Sequence, residues 1–213
     1  FVYATDDEEE RFRKQSRIIA SYFRNGKCID PESLAKTLRN RLRIISMAQA
    51  KIDGIGDFVN KIEEKDHVVV YCGDGRLYDD TGEEIRHIRQ VKRVLNDMDY
   101  KASQFTAQEN MMERMELVDA FNKGEISALA AIRCLDEGIN IPSIKSALIL
   151  SSNDDYREFV QRRGRILRLY DDKESAVIYD VVVLPSNDMT EWAKIELRRY
   201  RESVSYTHLT LPT

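Results

Sequence analysis

At 213 residues the chain is long enough to bury a core, and its length suggests one domain or one domain with an appendage. Hydrophobic residues make up 42% and charged residues 33%; no apolar run approaches the roughly 20 residues of a membrane span and no signal peptide is visible, so no membrane partner is expected. A net charge of −4 argues against a uniformly basic nucleic-acid binder, so any such site has to be a local basic patch.

In chain order, Phe1, Val2 and Tyr3 ahead of Asp6, Asp7, Glu8 and Glu9 could form a strand carrying a magnesium-binding acidic box. A helix start explains the same residues more simply: Thr5 with Glu8 is a capping box, and first-turn carboxylates favour the positive end of the helix dipole. The helix is expected to run to about Arg24 and end at Asn25 and Gly26. Gly26 and Lys27 are not a phosphate loop, because the earlier glycine is missing and Cys28 stands where the magnesium-binding hydroxyl belongs.

Asp30 and Pro31 read as N-cap and first helical residue. From there Leu34, Leu38, Leu42, Ile45, Ile52, Ile55, Phe58 or Val59, and Ile62 recur at helical spacing out to Lys65, as one helix or as two joined near Gly54 and Gly56. At His67 the pattern changes to a continuous β-prone run through Cys72, followed by the turn Gly73, Asp74, Gly75; this is how a strand buried on both faces of a parallel sheet reads. Ile85, Ile88, Val91, Leu95 and Met98 mark a helix, and Lys101 to Phe105 a strand. Met111, Met112, Met115, Val118 and Phe121 mark a second helix ending at Gly124, its methionines expected in the core. Strands are expected at 126–132, 146–150 and 174–184, helices at 154–167 and from Asn187 to about Glu202. Alternating strands and helices predict an α/β fold with a parallel sheet, whose crevice lies at the carboxyl ends of the strands, where Gly73, Thr106, Arg133 and the Gly138 loop fall. Cys28, Cys72 and Cys134 are widely spaced, odd in number and without metal-ligand spacing, so they read as reduced thiols in a cytoplasmic protein.

Two stretches carry the chemistry. Gln161, Arg162, Arg163, Gly164, Arg165, Ile166, Leu167, Arg168 follows an amphipathic run (Tyr156, Phe159, Val160) and sets four guanidiniums around one glycine. Like charges three and four apart repel by a few tenths of a kcal/mol per pair, so an anion is expected to meet them. Arginine grips phosphate oxygens bidentately and keeps its charge, and Arg165 and Arg168 lie about one helical turn apart. A solvated basic helix paired with Asp171, Asp172 and Glu174 is the alternative. The second stretch, Ala130 to Pro142, runs from a short apolar strand through Arg133, Cys134, Leu135, Asp136, Glu137, Gly138, Ile139, Asn140 and Ile141 into a proline.

Together the two stretches resemble motifs V and VI of superfamily 2 helicases and translocases, nearest to the branch of type III restriction subunits and XPB-like DNA helicases. The pattern Gln-Arg-x-Gly-Arg-x-x-Arg is met at every fixed position, and Leu-Asp-Glu-Gly-x-x-Ile-Pro is nearly complete. The resemblance implies a C-terminal RecA-like domain with helices on both faces of its sheet, residues 66–186, preceded by a helical connector from a first motor domain, residues 1–65, and followed by a C-terminal helix, 187–203. An ordinary helical hairpin is the other reading of the connector. Residues 204–213 resemble a translated sequencing adapter and are set aside, His208 included; a genuine disordered terminus is the alternative.

The resemblance further implies ATP and Mg²⁺ at the interface with that first motor domain. Arg165 and Arg168 take the arginine-finger positions, Gln161 contacts the nucleotide or the partner's acidic motif, and Gly138 and Asn140 approach the ribose. Gly73, Thr106 and Arg133 are the candidate nucleic-acid contacts. Two departures from the family pattern bear on these roles: Asn140 replaces an aspartate that would pair with arginine, and Ile132 replaces a hydroxyl residue that would touch a strand phosphate. With no Walker A loop and no acidic box, the chain alone is expected neither to bind ATP tightly nor to hydrolyse it. The expected function is the second motor domain of a DNA helicase or translocase. An RNA-directed helicase of the same superfamily, or a degenerate RecA-like interaction module, are the alternatives.

Overall fold

The computed structural model describes residues 1–78, 84–132, 141–151, 164, 166, 173, 175–186 and 190–204, with the backbone alone for 76–78, 84, 85, 190, 199 and 202–204. Its centre is a five-stranded sheet in the order β10-β9-β4-β8-β7, made of β4 (Val68–Tyr71), β7 (Ala102–Phe105), β8 (Ala128–Ala131), β9 (Ser146–Ile149) and β10 (Val177–Asp180). Every neighbouring pair is parallel. The four residues of β4, β8 and β9 are all buried, as the continuous apolar run at 67–72 predicts for strands covered on both faces.

Alternation along the strands divides the core in two. Val68, Val70, Ala128, Ala130 and Leu148 face α3 (Gln49–Asp53), α4 (Ile55–Val59) and α5 (His87–Asp97), packing on Ile52, Ile55, Val59, Ile88, Val91 and Leu95. Val69, Tyr71, Leu129, Ala131 and Ile149 face the other way, onto Phe121 of α6 (Met111–Asn122) and onto Ile141, Ile144 and Ile166. The α/β reading, with a parallel sheet and helices on both faces, is therefore borne out.

A third cluster lies beside the sheet. It joins Phe12 of α1 (Asp6–Ser21) and Ile44 and Ile45 of α2 (Pro31–Ser46) to Val183 and to Trp192 of α7 (Thr190–Val204). The rings of Phe12 and Trp192 are 5.1 Å apart, and the Arg41 guanidinium lies 5.2 Å from the Phe12 centroid. At its centre β1 (Val2–Tyr3) pairs in parallel with β11 (Val183–Leu184). The expected single strand over 174–184 is thus two: β10 stays in the main sheet, and the chain leaves it at Val181 and Val182. The outer edge of β11 is satisfied by α7, because the Val183 amide donates to the Glu196 carboxylate at 2.8 Å and Trp192 Nε1 donates to the Val183 carbonyl at 3.0 Å.

The capping box at Thr5 and Glu8 is present, and Asp30 caps α2 with Pro31 behind it. Other boundaries differ. α1 stops at Ser21, not Arg24, because Asn25 (φ 52°) and Gly26 (φ 75°) form a two-residue hairpin turn between β2 (Phe23–Arg24) and β3 (Lys27–Cys28). The long helical pattern breaks at Gly54, as expected, and also at Met47 and Ala48, giving three helices. Ile85 falls in a short hairpin, β5 (Arg76–Tyr78) with β6 (Glu84–Arg86), rather than in α5. The expectation that the α6 methionines are core is overturned: Met111, Met112 and Met115 are 67%, 71% and 65% exposed. Leu117, Val118 and Phe121 occupy the face that meets the sheet, and the methionines lie on another.

Candidate functional site

Because the five strands are parallel, their carboxyl ends share one edge, and the residues that follow them gather there. Gly73 and Thr106 both lie on this edge but are not in contact: β8 stands between β4 and β7, so strand spacing alone separates them by roughly 10 Å. Gly73 is packed tightly; an added Cβ would lie 3.0 Å from Met47 Cγ and 3.4 Å from Ser151 Oγ. At Gly75 an added Cβ would collide with the Met47 side chain. Thr106 is 3% exposed and its hydroxyl is engaged, donating to Glu109 at 2.8 Å and accepting from the Gln108 amide at 3.1 Å. A contact from that hydroxyl to a strand phosphate requires one of these bonds to exchange. Ile132 is buried in the core cluster beneath α3, α4 and α5.

Two buried groups that sequence reasoning missed hold the edge in place. His87 fastens the loop after β4 from both ends: its Nδ1 accepts from the Gly73 amide at 3.3 Å, and its own amide donates to the Gly75 carbonyl at 2.9 Å. An amide can only donate, so Nδ1 is unprotonated. Burial, and then the charge of Lys51, push the imidazole pKa down to about 4. Lys51 is itself fully buried, with Nζ donating to the Leu150 carbonyl at 2.8 Å at the end of β9. Neither residue is among the apolar positions that mark these helices in the sequence.

Arg165, Arg168, Gln161, Gly138, Asn140 and Arg133 lie outside the described residues. Their neighbours are described. Ile132 and Ile141 bracket the motif V stretch; Gly164 is exposed, with no described atom within 4 Å of an added Cβ, whereas Ile166 is fully buried against the sheet. Lys173 connects the two stretches, with Nζ donating to the Pro142 carbonyl at 3.0 Å and the Ile166 carbonyl at 2.5 Å. Cys28 and Cys72 are free thiols, and burial pushes the Cys72 thiol pKa well up.

Among the described residues no group of three His, Cys, Asp or Glu is placed to hold a metal ion. The acidic residues near the amino terminus have other work. Glu8 accepts from the Thr5 amide at 2.9 Å and the Gln49 amide at 2.6 Å, and Glu9 accepts from the Ser186 amide at 2.6 Å and hydroxyl at 2.7 Å. Both carboxylates are thus engaged in holding α1 to its neighbours.

Comparison with known proteins gives consistent matches. Residues 50–170, more than half of the chain, match the family model of the helicase conserved C-terminal domain. The chain is 38% identical over 76 residues to the DNA 3'-5' translocase XPB2 of Sulfurisphaera tokodaii, covering 36% of this chain and 17% of that protein. It is 23% identical over 218 residues to the UvrABC system protein B of Fusobacterium nucleatum, covering 98% of this chain and 29% of that protein. The chain thus spans less than a third of the length of either relative. In fold it resembles the crystal structure of the C-terminal part of the Fun30 ATPase domain, with a TM-score of 0.63 and 12% identity over 92% of this chain and 86% of that one.

Proposed function

The chain belongs to the helicase conserved C-terminal domain family, with the RecA-like fold of superfamily 2, and from that premise we propose that it is the second motor domain of an ATP-dependent DNA helicase or translocase. The observation that carries this reading is the extent of the family match: residues 50–170 take in the loops after β4 and β7, the motif V stretch and the motif VI stretch in one run. A relative named as a DNA 3'-5' translocase supports DNA as the nucleic acid.

In this reading Arg165 and Arg168 face the phosphoryl oxygens of a nucleotide held between two motor domains. A guanidinium positioned there stabilises the charge that spreads over those oxygens in the transition state, an effect worth ~10³ to 10⁵ in rate. Gln161 orients the nucleotide side of the interface, and Gly138 and Asn140 approach the ribose. Gly73, Arg133 and, after exchange of its bond to Glu109, Thr106 hold one strand by its phosphates, a grip tolerant of sequence and weakened by salt. Magnesium ligands and the phosphate-cradling loop come from a first motor domain, to which residues 1–65 connect. The chain by itself is inactive, and the free cysteines suit a cytoplasmic setting.

The test is nucleic-acid-stimulated ATPase activity of the full-length protein, with Arg165→Ala and Arg168→Ala beside the wild type. The expected result is turnover stimulated by DNA in preference to RNA, and a fall of about a hundredfold or more in each variant with nucleotide binding retained. Variants as active as the wild type would remove both arginines from the mechanism. A wild type that nucleic acid does not stimulate would remove the motor.

A further inference from the structure

We propose that Lys173 is a positioning residue that couples the motif V loop to the arginine-bearing motif VI segment through its ammonium group, an inference that rests on the motor reading for its catalytic consequence. The geometry is a clasp. Pro142 closes the motif V stretch, and Ile166 stands directly after Arg165 and two residues before Arg168. Lys173 Nζ donates to the backbone carbonyls of both, at 3.0 and 2.5 Å. Ile166 and Ile141 are buried in one core cluster on the same face of the sheet, so the two segments are already packed together. The ammonium adds what packing lacks, a directional tie to a named carbonyl on each. Bonds from a charged donor are roughly twice as strong as neutral ones.

The clasp depends on charge, and the charge is lightly held. Burial pushes the Lys173 pKa down to about 8, where most lysines titrate above 10. Among the described residues, the other charged or titratable groups lining the same cavity at the amino-terminal edge of the sheet are Lys61, Glu63 and Glu64 from the segment before β4, Lys145 before β9, and Tyr179 on β10. Glu64 is paired with Lys145, and the Tyr179 hydroxyl donates to the Lys61 carbonyl at 3.0 Å. Below pH 8 the ammonium holds both carbonyls. Above it the neutral amine loses the charge-assisted part of each bond, so the coupling weakens as pH rises.

The experiment compares Lys173→Met, Lys173→Gln and Lys173→Arg with the wild type in the full-length protein, by amide hydrogen exchange at residues 141–144 and 164–166 and by DNA-stimulated kcat and KM from pH 6.5 to 9.5. Lys173→Met is expected to speed exchange in both segments and to lower kcat about tenfold or more with little change in KM. The wild-type kcat should fall with a midpoint near pH 8, and Lys173→Arg, charged throughout, should keep most of the activity and lose that alkaline limb. Lys173→Gln retains a donor without the charge and gives the same answer if Lys173→Met does not fold. Unchanged exchange in the neutral variants overturns the clasp, and an alkaline limb that persists in Lys173→Arg overturns its dependence on charge. A wild type without stimulated turnover counts against the motor reading alone, since the exchange measurement still decides whether Lys173 ties the two segments.

Discussion

His87 shows what one buried side chain sets at the carboxyl edge. With its pKa pushed down to about 4 from an ordinary 6.5, the folded state holds His87 neutral where the unfolded chain takes up a proton. The sign follows: the unfolded state binds more protons between pH 6.5 and 4, so the stability this group contributes is complete above 6.5 and is lost as pH falls to 4. The loss amounts to about 3 kcal/mol. His87→Asn keeps an acceptor for the Gly73 amide and removes the titration, so its stability between pH 4 and 6.5, measured by urea unfolding, should be flatter than that of the wild type. Parallel curves would mean that another group titrates. Neither the need for His87 nor that for Lys51 could be read from the sequence, because each depends on backbone groups of other elements, Gly73 and Gly75 for one and Leu150 for the other.

Helix boundaries were legible where the cap is local. Thr5 with Glu8, and Asp30 with Pro31, announce α1 and α2 within a few residues of sequence, and both begin there. α3 has no such announcement. Ala48 supplies no side-chain cap, and the orphan amide of Gln49 is taken by Glu8 from α1, 41 residues away. The Asn25 and Gly26 turn was legible in principle, since an Asn-Gly pair favours the tight hairpin, but a strong preceding helix pattern hid it. Gly54, between α3 and α4, marks a place where the chain has no room: a Cβ would stand 2.8 Å from Val2 Cγ1 and 3.1 Å from the Ala50 carbonyl. Gly54→Ala is expected to destabilise the protein by about 1–3 kcal/mol through overpacking, despite the better helix propensity of alanine. A chemical-denaturation midpoint equal to or above wild type would show that β1 shifts to make room.

At the scale of the molecule, both ends of the described chain meet in one cluster, with Trp192 fully buried against Phe12 and bonded to Val183. Trp192→Ala should therefore cost about 3–5 kcal/mol and expose α1 and α2 to protease before the sheet is attacked. Simultaneous cleavage everywhere would mean that this cluster and the sheet unfold as one unit. The packing of α3 and α4 into the sheet core, with the family match beginning at residue 50, makes residues 49–62 part of the central sheet's core. By itself the sequence determined the α/β class, the buried central strand at 68–71 and the motifs at 130–142 and 161–168, because apolar runs, periodicity and motif spacing act over a few residues. Only the tertiary structure decided that 183–184 leaves the main sheet to pair with 2–3, that the α6 methionines face outward, that His87 and Lys51 are buried fasteners and that Lys173 is a half-buried one. Each of those outcomes depends on a partner distant in sequence, whose position is fixed only when the sheet has assembled.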